Sequence, residues 1–423
     1  MGCFILPLAD PAATDADRVG PKAANLAALH RAGLPTPNGF CIAADAYRRQ
    51  TQHLDLWPEI GAYADADQPT QRRLAVEIRL KLYQSDLAPD LLADVLPAWW
   101  AADKPAAVRS SALIEDRANA NFAGQFESFL GVREDAEFLT SLRACWAALW
   151  TTTARRVMAQ RGQNPADTAM AVLVQPLIAA HASGGGLSET ADGHMLVSAT
   201  WGLGSAIAQG EVVPDRIVLS RHGFVRSNEA GHKQHRETCV HGGATSRQAV
   251  PEALIRAPCL EAGQATQLGR LMRKAEDVLG MRLEIEWALD DTGFKLLQAR
   301  PLHVAPTQLP DEIWLQHPGL NGHPAGIGWG SGRAVVVNCE CELSRVAPGD
   351  ILVTRVAGPA LSHILPRVGG VVAELGGSTS HLASLARERG IPAVLGVHEA
   401  TRRIPDGAQV AVDGVAGVVR WVA

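Results

Sequence analysis

The 423 residues contain no apolar run long enough to cross a bilayer. The longest, AMAVLVQPLIAA, is interrupted by Gln175 and Pro176 and falls well short of the roughly 20 residues a spanning helix needs. No secretory leader is expected either: the apolar stretch in MGCFILPLAD is short and lacks a basic n-region, and Leu6 spoils the myristoylation pattern that the opening MG suggests. Neither charge is in excess. With 39 Lys and Arg against 44 Asp and Glu the net charge is −5, which leaves no basic stripe for nucleic acid and no polybasic anchor for a membrane. Seven cysteines, an odd number without regular spacing, argue against a disulfide framework. Only Cys339 and Cys341 lie close together, in VVNCECELS. Strand alternation would put both on one face, no second pair completes a zinc site, and they are read as strand residues without a function. No repeat of 20–50 residues and no low-complexity tract is found. What is there is a chain 47% apolar, suited to two or three globular domains and expected in the cytoplasm.

Helical periodicity is strong in PKAANLAALHRAG, which Gly33 closes, and again in DAEFLTSLRACWAALWTTTARRVMAQRG and ATQLGRLMRKAEDVLG, the last ending on a glycine cap. Between them, AMAVLVQPLI, HMLVSAT, DRIVLS, LEIEWALD and FKLLQARPL read as strands. This mixture predicts an α/β or α+β domain over residues 1–305. Residues 306–330, rich in proline and glycine, read as a mobile linker. A small domain follows over 331–423, in which short β runs surround the helix SHLASLARERG.

That helix opens on GGSTSH. A helix N-terminus offers free N–H groups and the positive end of the macrodipole, both favourable to an anion. Gly376 and Gly377 permit close approach, and Ser378, Thr379 and Ser380 supply a cap and hydroxyl donors. A neutral imidazole is a competent nucleophile, so His381 reads as a residue able to carry a phosphoryl group. A polar residue near solvent is the plainer alternative.

A carrier needs a donor. In LEIEWALDDTGFKLLQARP, Glu284 and Glu286 share one strand face, and Gln298 and Arg300 share a face of the next strand. Together they offer oxygen ligands for Mg²⁺ beside a guanidinium for phosphate, although a polar outer face of a hairpin has the same spacing. Arg109 precedes two serines in AVRSSALIED, and NFAGQ, with Gly124 and Gln125, offers N–H groups able to cover a triphosphate. Lys22 in VGPKAANL is a further phosphate contact or a solvated lysine, and WGLGSAIAQG, with Gly202, Gly204 and Gly210, is by itself a tight loop.

Taken in order, VGPKAANLAALHRAGLPTPNGFCI, AVRSSALIED, NFAGQFESFLGV, WGLG, EIEWALD, LLQARPL and GGSTSHLASLARERGIPAVLG make the chain resemble the phosphoenolpyruvate synthase and pyruvate phosphate dikinase family. The resemblance implies an ATP-grasp nucleotide-binding domain followed by a swivelling β/β/α phosphohistidine domain. It implies Lys22, Arg109 and Arg300 as phosphate contacts, with Glu284, Gly124 and Gln125 also at the ATP site. It further implies Glu286 and Gln298 as Mg²⁺ ligands, and His381 as the phosphorylated residue with Thr379 and Arg300 beside the chemistry. In that family ATP pyrophosphorylates the histidine, the γ-phosphate leaves to water or phosphate, and the remaining phosphoryl group moves to an acceptor. Three positions depart from the pattern: Ser205 after GLG, SGGGLSE in place of SGVxFT, and Thr153 after CWAALWTT. No pyruvate-binding barrel follows the histidine domain in this chain, nor is an acceptor domain inserted as in the rifampicin phosphotransferases, which it also resembles. The expected acceptor is therefore a small molecule bound in the cleft of these domains or on a separate protein. A phosphocarrier serving a partner protein is the alternative function.

Overall fold

The computed structural model describes residues 4–114, 126, 128–159, 162–239, 245–302, 314, 317, 319–356 and 358–422. Its contacts divide the chain into two units: Met1–Ile178 with Cys239–Ser246 and Lys295–Arg300, and Ala179–Thr238 with Arg247–Phe294 and Pro301–Ala423.

The first unit carries an antiparallel sheet of β1 (Ile5–Pro7), β2 (Phe40–Ile42), β3 (Ala106–Ala112), β4 (Ser128–Val132) and β5 (Met170–Pro176), in the order β1-β2-β5-β3-β4. Its helices are α1 (Ala16–Arg31), α2 (Ala44–His53), α3 (Trp57–Asp65), α4 (Gln68–Gln84), α5 (Pro89–Ala101), α6 (Asp135–Ala148) and α7 (Thr152–Ala159). Strand alternation sorts the core into two faces. Phe40, Ile42, Val172 and Val174 join Trp146, Trp150 and the stacked pair Trp99 and Phe138, while Cys41 and Leu173 join Leu26 and Ala27 of α1. The helix expected to run unbroken from residue 135 is two helices. Thr151 interrupts it by donating its hydroxyl to the Ala148 carbonyl (2.9 Å) and accepting the Ala154 N–H (3.3 Å), a local competitor to the helical ladder.

The second unit contains β6 (Ala182–Leu187), β7 (Met195–Trp201), β8 (Asp215–Leu219), β9 (Val225–Glu229), β10 (His235–Cys239), β11 (Thr245–Ala249) and β12 (Leu283–Asp290), with α8 (Ser205–Ala208), α9 (Glu252–Ile255) and α10 (Ala262–Leu279). Strands β12-β6-β7-β8-β9 form one antiparallel array, and β10 and β11 form a separate ribbon. As the sequence predicts, α10 ends on Gly280 in the left-handed conformation (φ 68°). Strand β13 (Gly293–Pro301) follows β12, and its residues Lys295–Arg300 group with the first unit.

The C-terminal part of the second unit is an eight-stranded sheet of β14 (Gly319–Asn321), β15 (His323–Pro324), β16 (Trp329–Val337), β17 (Ile351–Thr354), β18 (Gly370–Ala373), β19 (Ala393–Leu395), β20 (Gln409–Asp413) and β21 (Val418–Val422), ordered β14-β21-β20-β16-β17-β18-β19-β15. Strands β16 to β19 are mutually parallel and buried on both faces, which explains their continuous apolar runs. Leu352, Val371 and Leu395 meet Leu382, Leu385 and Ala386 of α11 (His381–Glu388). Val353, Val372 and Val394 meet Ala400 of α12 (Ala400–Arg403) on the other side.

Two sequence readings change. Residues 319–330 are not plain linker: β14 pairs with β21, β15 pairs with β19, and β16 has begun by Trp329. Cys339 and Cys341 are not strand residues. β16 ends at Val337, and the Asn338 N–H, held by the Glu342 carboxylate at 2.7 Å, turns the chain into a short 3-10 helix where the two cysteines are joined by a disulfide.

Candidate active site

In the first unit the VGPK turn is pressed against β3. Gly20 sits at φ 76°, and a Cβ there would lie 2.4 Å from the Ser111 hydroxyl, so only glycine fits both the backbone and the space. This turn buries Lys22, whose Nζ donates to the Ser110 carbonyl at 2.9 Å. The preceding residue of β3 is Arg109. Its Nη1 donates to the Leu297 carbonyl (2.8 Å) and its Nη2 to Gln298 Oε1 (2.9 Å). The structure therefore brings Lys22, Arg109 and Gln298 together, with Arg300 two residues further along β13 on the same face and half-buried. Gly124 and Gln125 lie outside the described residues.

In the second unit the two glutamates of β12 have different environments. Glu284, paired opposite Leu187, is buried, whereas Glu286, opposite Gly185, faces solvent. Glu284 Oε2 lies 3.0 Å from Arg387 Nη2 and accepts the Ser384 hydroxyl at 3.2 Å, both from α11. The same guanidinium donates through Nη1 to the carbonyls of Ser378 (2.5 Å) and Ala325 (3.3 Å). The helix that begins at His381 is thus held to β12 by a buried ion pair and to its own preceding loop by the same arginine.

That loop is shaped by what it touches. Gly376 has φ 96°, and a Cβ at Gly377 would lie 2.4 Å from Pro214 Cγ. On β6, a Cβ at Gly185 would lie 2.6 Å from Thr379 Cβ, so the middle glycine of SGGGLSE is where the loop rests. Ser380 caps α11, accepting the Ala383 N–H at 3.3 Å, and leaves His381 as the first helical residue. Ser378 Oγ and Thr379 Oγ1 are buried with no hydrogen-bond partner among the described residues. Buried hydroxyls left unpaired cost on the order of 1–3 kcal/mol each. Two of them beside a helix N-terminus suit an arriving phosphoryl oxygen.

Sequence reasoning missed Arg387, Ser384 and Gly185. Arg387 is visible in LARERG, but its partner lies 103 residues away, and no local pattern names it. At the departures noted above, the Ser205 hydroxyl bonds the Glu237 carboxylate, tying the GLGS turn to β10.

Residues 16–315 match the family described as "Pyruvate phosphate dikinase, AMP/ATP-binding domain", and residues 346–417 match "PEP-utilising enzyme, mobile domain". Similar curated proteins include the probable phosphoenolpyruvate synthase of Pyrococcus horikoshii, 30% identical over 96% of this chain and 56% of that protein. The phosphoenolpyruvate synthase of Escherichia coli is 30% identical over 96% of this chain and 56% of its own length. The probable phosphoenolpyruvate synthase of Archaeoglobus fulgidus is 31% identical, covering 98% and 58%. The chain thus spans a little over half the length of the curated relatives it matches. With more than half of its residues inside the first of these matches, the chain belongs to the phosphoenolpyruvate synthase and pyruvate phosphate dikinase family.

Proposed function

We propose that this chain is an ATP-dependent phosphotransferase that charges His381 and passes a phosphoryl group to a small-molecule acceptor. The observation that carries the reading is His381 at the start of α11, behind a glycine loop whose two buried hydroxyls have no partner among the described residues. A ring nitrogen of His381 attacks the β-phosphorus of ATP, the bond from that phosphorus to the α-phosphate oxygen breaks, and AMP leaves. The terminal phosphate of the pyrophosphoryl group then departs to water or phosphate, and the acceptor takes what remains. Lys22, Arg109 and Arg300 would neutralise the triphosphate, and Gln298 fixes the Arg109 guanidinium. Glu284 acts through α11 instead, as a positioning residue for the helix.

Glu286, a solvent-facing carboxylate, and Gln298, a side-chain carbonyl, are the hard oxygen donors that suit Mg²⁺. When bound, the ion would supply charge neutralisation at the transferring phosphates. We assign residues 1–305 to an ATP-grasp-type nucleotide half and residues 319–423, which build the eight-stranded sheet, to the carrier, since one histidine has to meet two sites in turn.

Incubation with Mg²⁺ and ATP followed by intact-protein mass spectrometry and nucleotide chromatography tests this. A phosphorylated or pyrophosphorylated adduct that His381→Ala abolishes, with AMP as product, is the expected outcome. An unmodified protein that produces ADP removes the carrier role.

A further inference from the structure

A cleft of about 780 Å³ opens in the second unit, and none of the triphosphate contacts named above lines it. One wall comes from residues 211–256, with Arg216, His232 and Arg256; the other from residues 338–402, with Arg355, His398 and Arg402. The size suits a metabolite-sized ligand.

Four arginines and four glutamates line this cleft, but they do not pair one to one. Each carboxylate is already engaged. Glu211 is held by His235 (3.0 Å) and Arg247 (3.7 Å), and Glu229 by Arg216 (3.3 Å). Glu374 accepts the Thr401 N–H (2.9 Å) and hydroxyl (2.5 Å), and Glu399 faces Arg402 at 3.4 Å and His398 at 3.9 Å. Asp215 and Lys233 beneath are a buried pair. Arg256 and Arg355 are left, one on each wall. Neither side chain makes a hydrogen bond or ion pair among the described residues.

A second observation concerns His323, which also lines the cleft. It is only 8% exposed, and its Nδ1 is buried without a hydrogen-bond partner among the described residues. His232 lies close to these cations: its pKa is lowered by burial and then by Arg256, His398 and Lys233.

We propose that this cleft is a second binding site, taking a small molecule with two anionic groups that bridges Arg256 and Arg355. A guanidinium matches phosphate and carboxylate oxygens through paired N–H donors, and two of them on separate walls call for a ligand with two such groups. Because the ligand touches both the β8–β9 wall and the carrier-domain wall, its occupancy favours the conformation in which these walls face each other. The proposal is independent of the chemistry assigned to His381.

Isothermal titration calorimetry on the full chain, with inorganic pyrophosphate in one arm and malonate in the other, tests it. Binding of either is expected, and the tighter one tells a phosphorylated ligand from a dicarboxylate. Arg256→Ala and Arg355→Ala should each weaken binding about tenfold, the scale of one charge-assisted hydrogen bond. Since neither side chain makes a hydrogen bond or ion pair among the described residues, both variants should keep the ligand-free melting temperature. Silence in both arms, or a double variant that binds pyrophosphate as tightly as the parent, overturns the proposal. The second result would place the anion elsewhere, among the triphosphate contacts for example.

Discussion

Gly185 and Thr379 illustrate how far single residues determine this site. Because a Cβ at position 185 would stand 2.6 Å from Thr379 Cβ, Gly185→Ala must displace the loop ahead of His381. Overpacking of this kind costs about 1–3 kcal/mol. The expected result is a lowered urea midpoint together with slower labelling of His381 by ATP; an unchanged midpoint and rate would mean the loop does not rest on β6. His323 gives a pH signature. Burial, then the charge of Arg216, push its pKa down to about 4, so the folded state favours the neutral ring while the unfolded chain protonates near 6.5. Stability from this residue is complete above pH 6.5 and is lost as pH falls towards 4, by roughly 3 kcal/mol in all. Denaturation at pH 7 and pH 5 should show the loss, and His323→Gln should flatten it.

Among the elements, two buried ion pairs hold parts that are distant in the chain. Asp215 at the start of β8 is fully buried; it accepts the Gly231 N–H (2.8 Å) and the Cys259 N–H (2.7 Å) and pairs with Lys233, equally buried. Burial and the neighbouring Asp215 push the Cys259 thiol well up, so it remains an inert thiol. Lys233→Met would strand the carboxylate, with an expected loss of about 3–5 kcal/mol in chemical denaturation, whereas an exposed pair such as Arg73 and Glu77 should contribute less than about 1 kcal/mol. The other pair, Glu284 with Arg387, fixes α11 on β12. Arg387→Met leaves Glu284 uncompensated and frees the Ser378 carbonyl, so a loss of similar size is expected, accompanied by slower His381 labelling. A normal labelling rate in a folded Arg387→Met variant would show that the pair is structural only. Elements also show what could be read early. α1 and α10 were legible because their apolar spacing and terminal glycines are local signals. β6 was not, because Ser183 to Gly186 offers no alternation of side chains to read.

At the level of the whole molecule, the two units carry separate cores, one rich in tryptophan around Trp99, Trp146 and Trp150, the other built on the parallel strands β16 to β19. Such a chain is expected to depart from two-state unfolding. The ten tryptophans divide equally, five in each unit, so scanning calorimetry is the better probe, and its trace should resolve more than one transition. A single transition would show one cooperative unit instead.

The ordered motifs alone pointed to the family, the mixed α/β composition and His381 at the start of a helix, because each of these is written in contiguous residues: a cap, a glycine, a periodic run. The tertiary structure decided the rest. Glu284 and Glu286 look equivalent two positions apart, yet one is buried against Arg387 and the other faces solvent. Gln298 reads as a metal ligand in sequence, and only the fold shows that its Oε1 also accepts from Arg109. Arg256 and Arg355, 99 positions apart, share a cleft that no local pattern announces. The physical reason is the same in each case: hydrogen bonds, desolvation and unpaired charge depend on which side chains meet in space, and over such separations folding alone decides that.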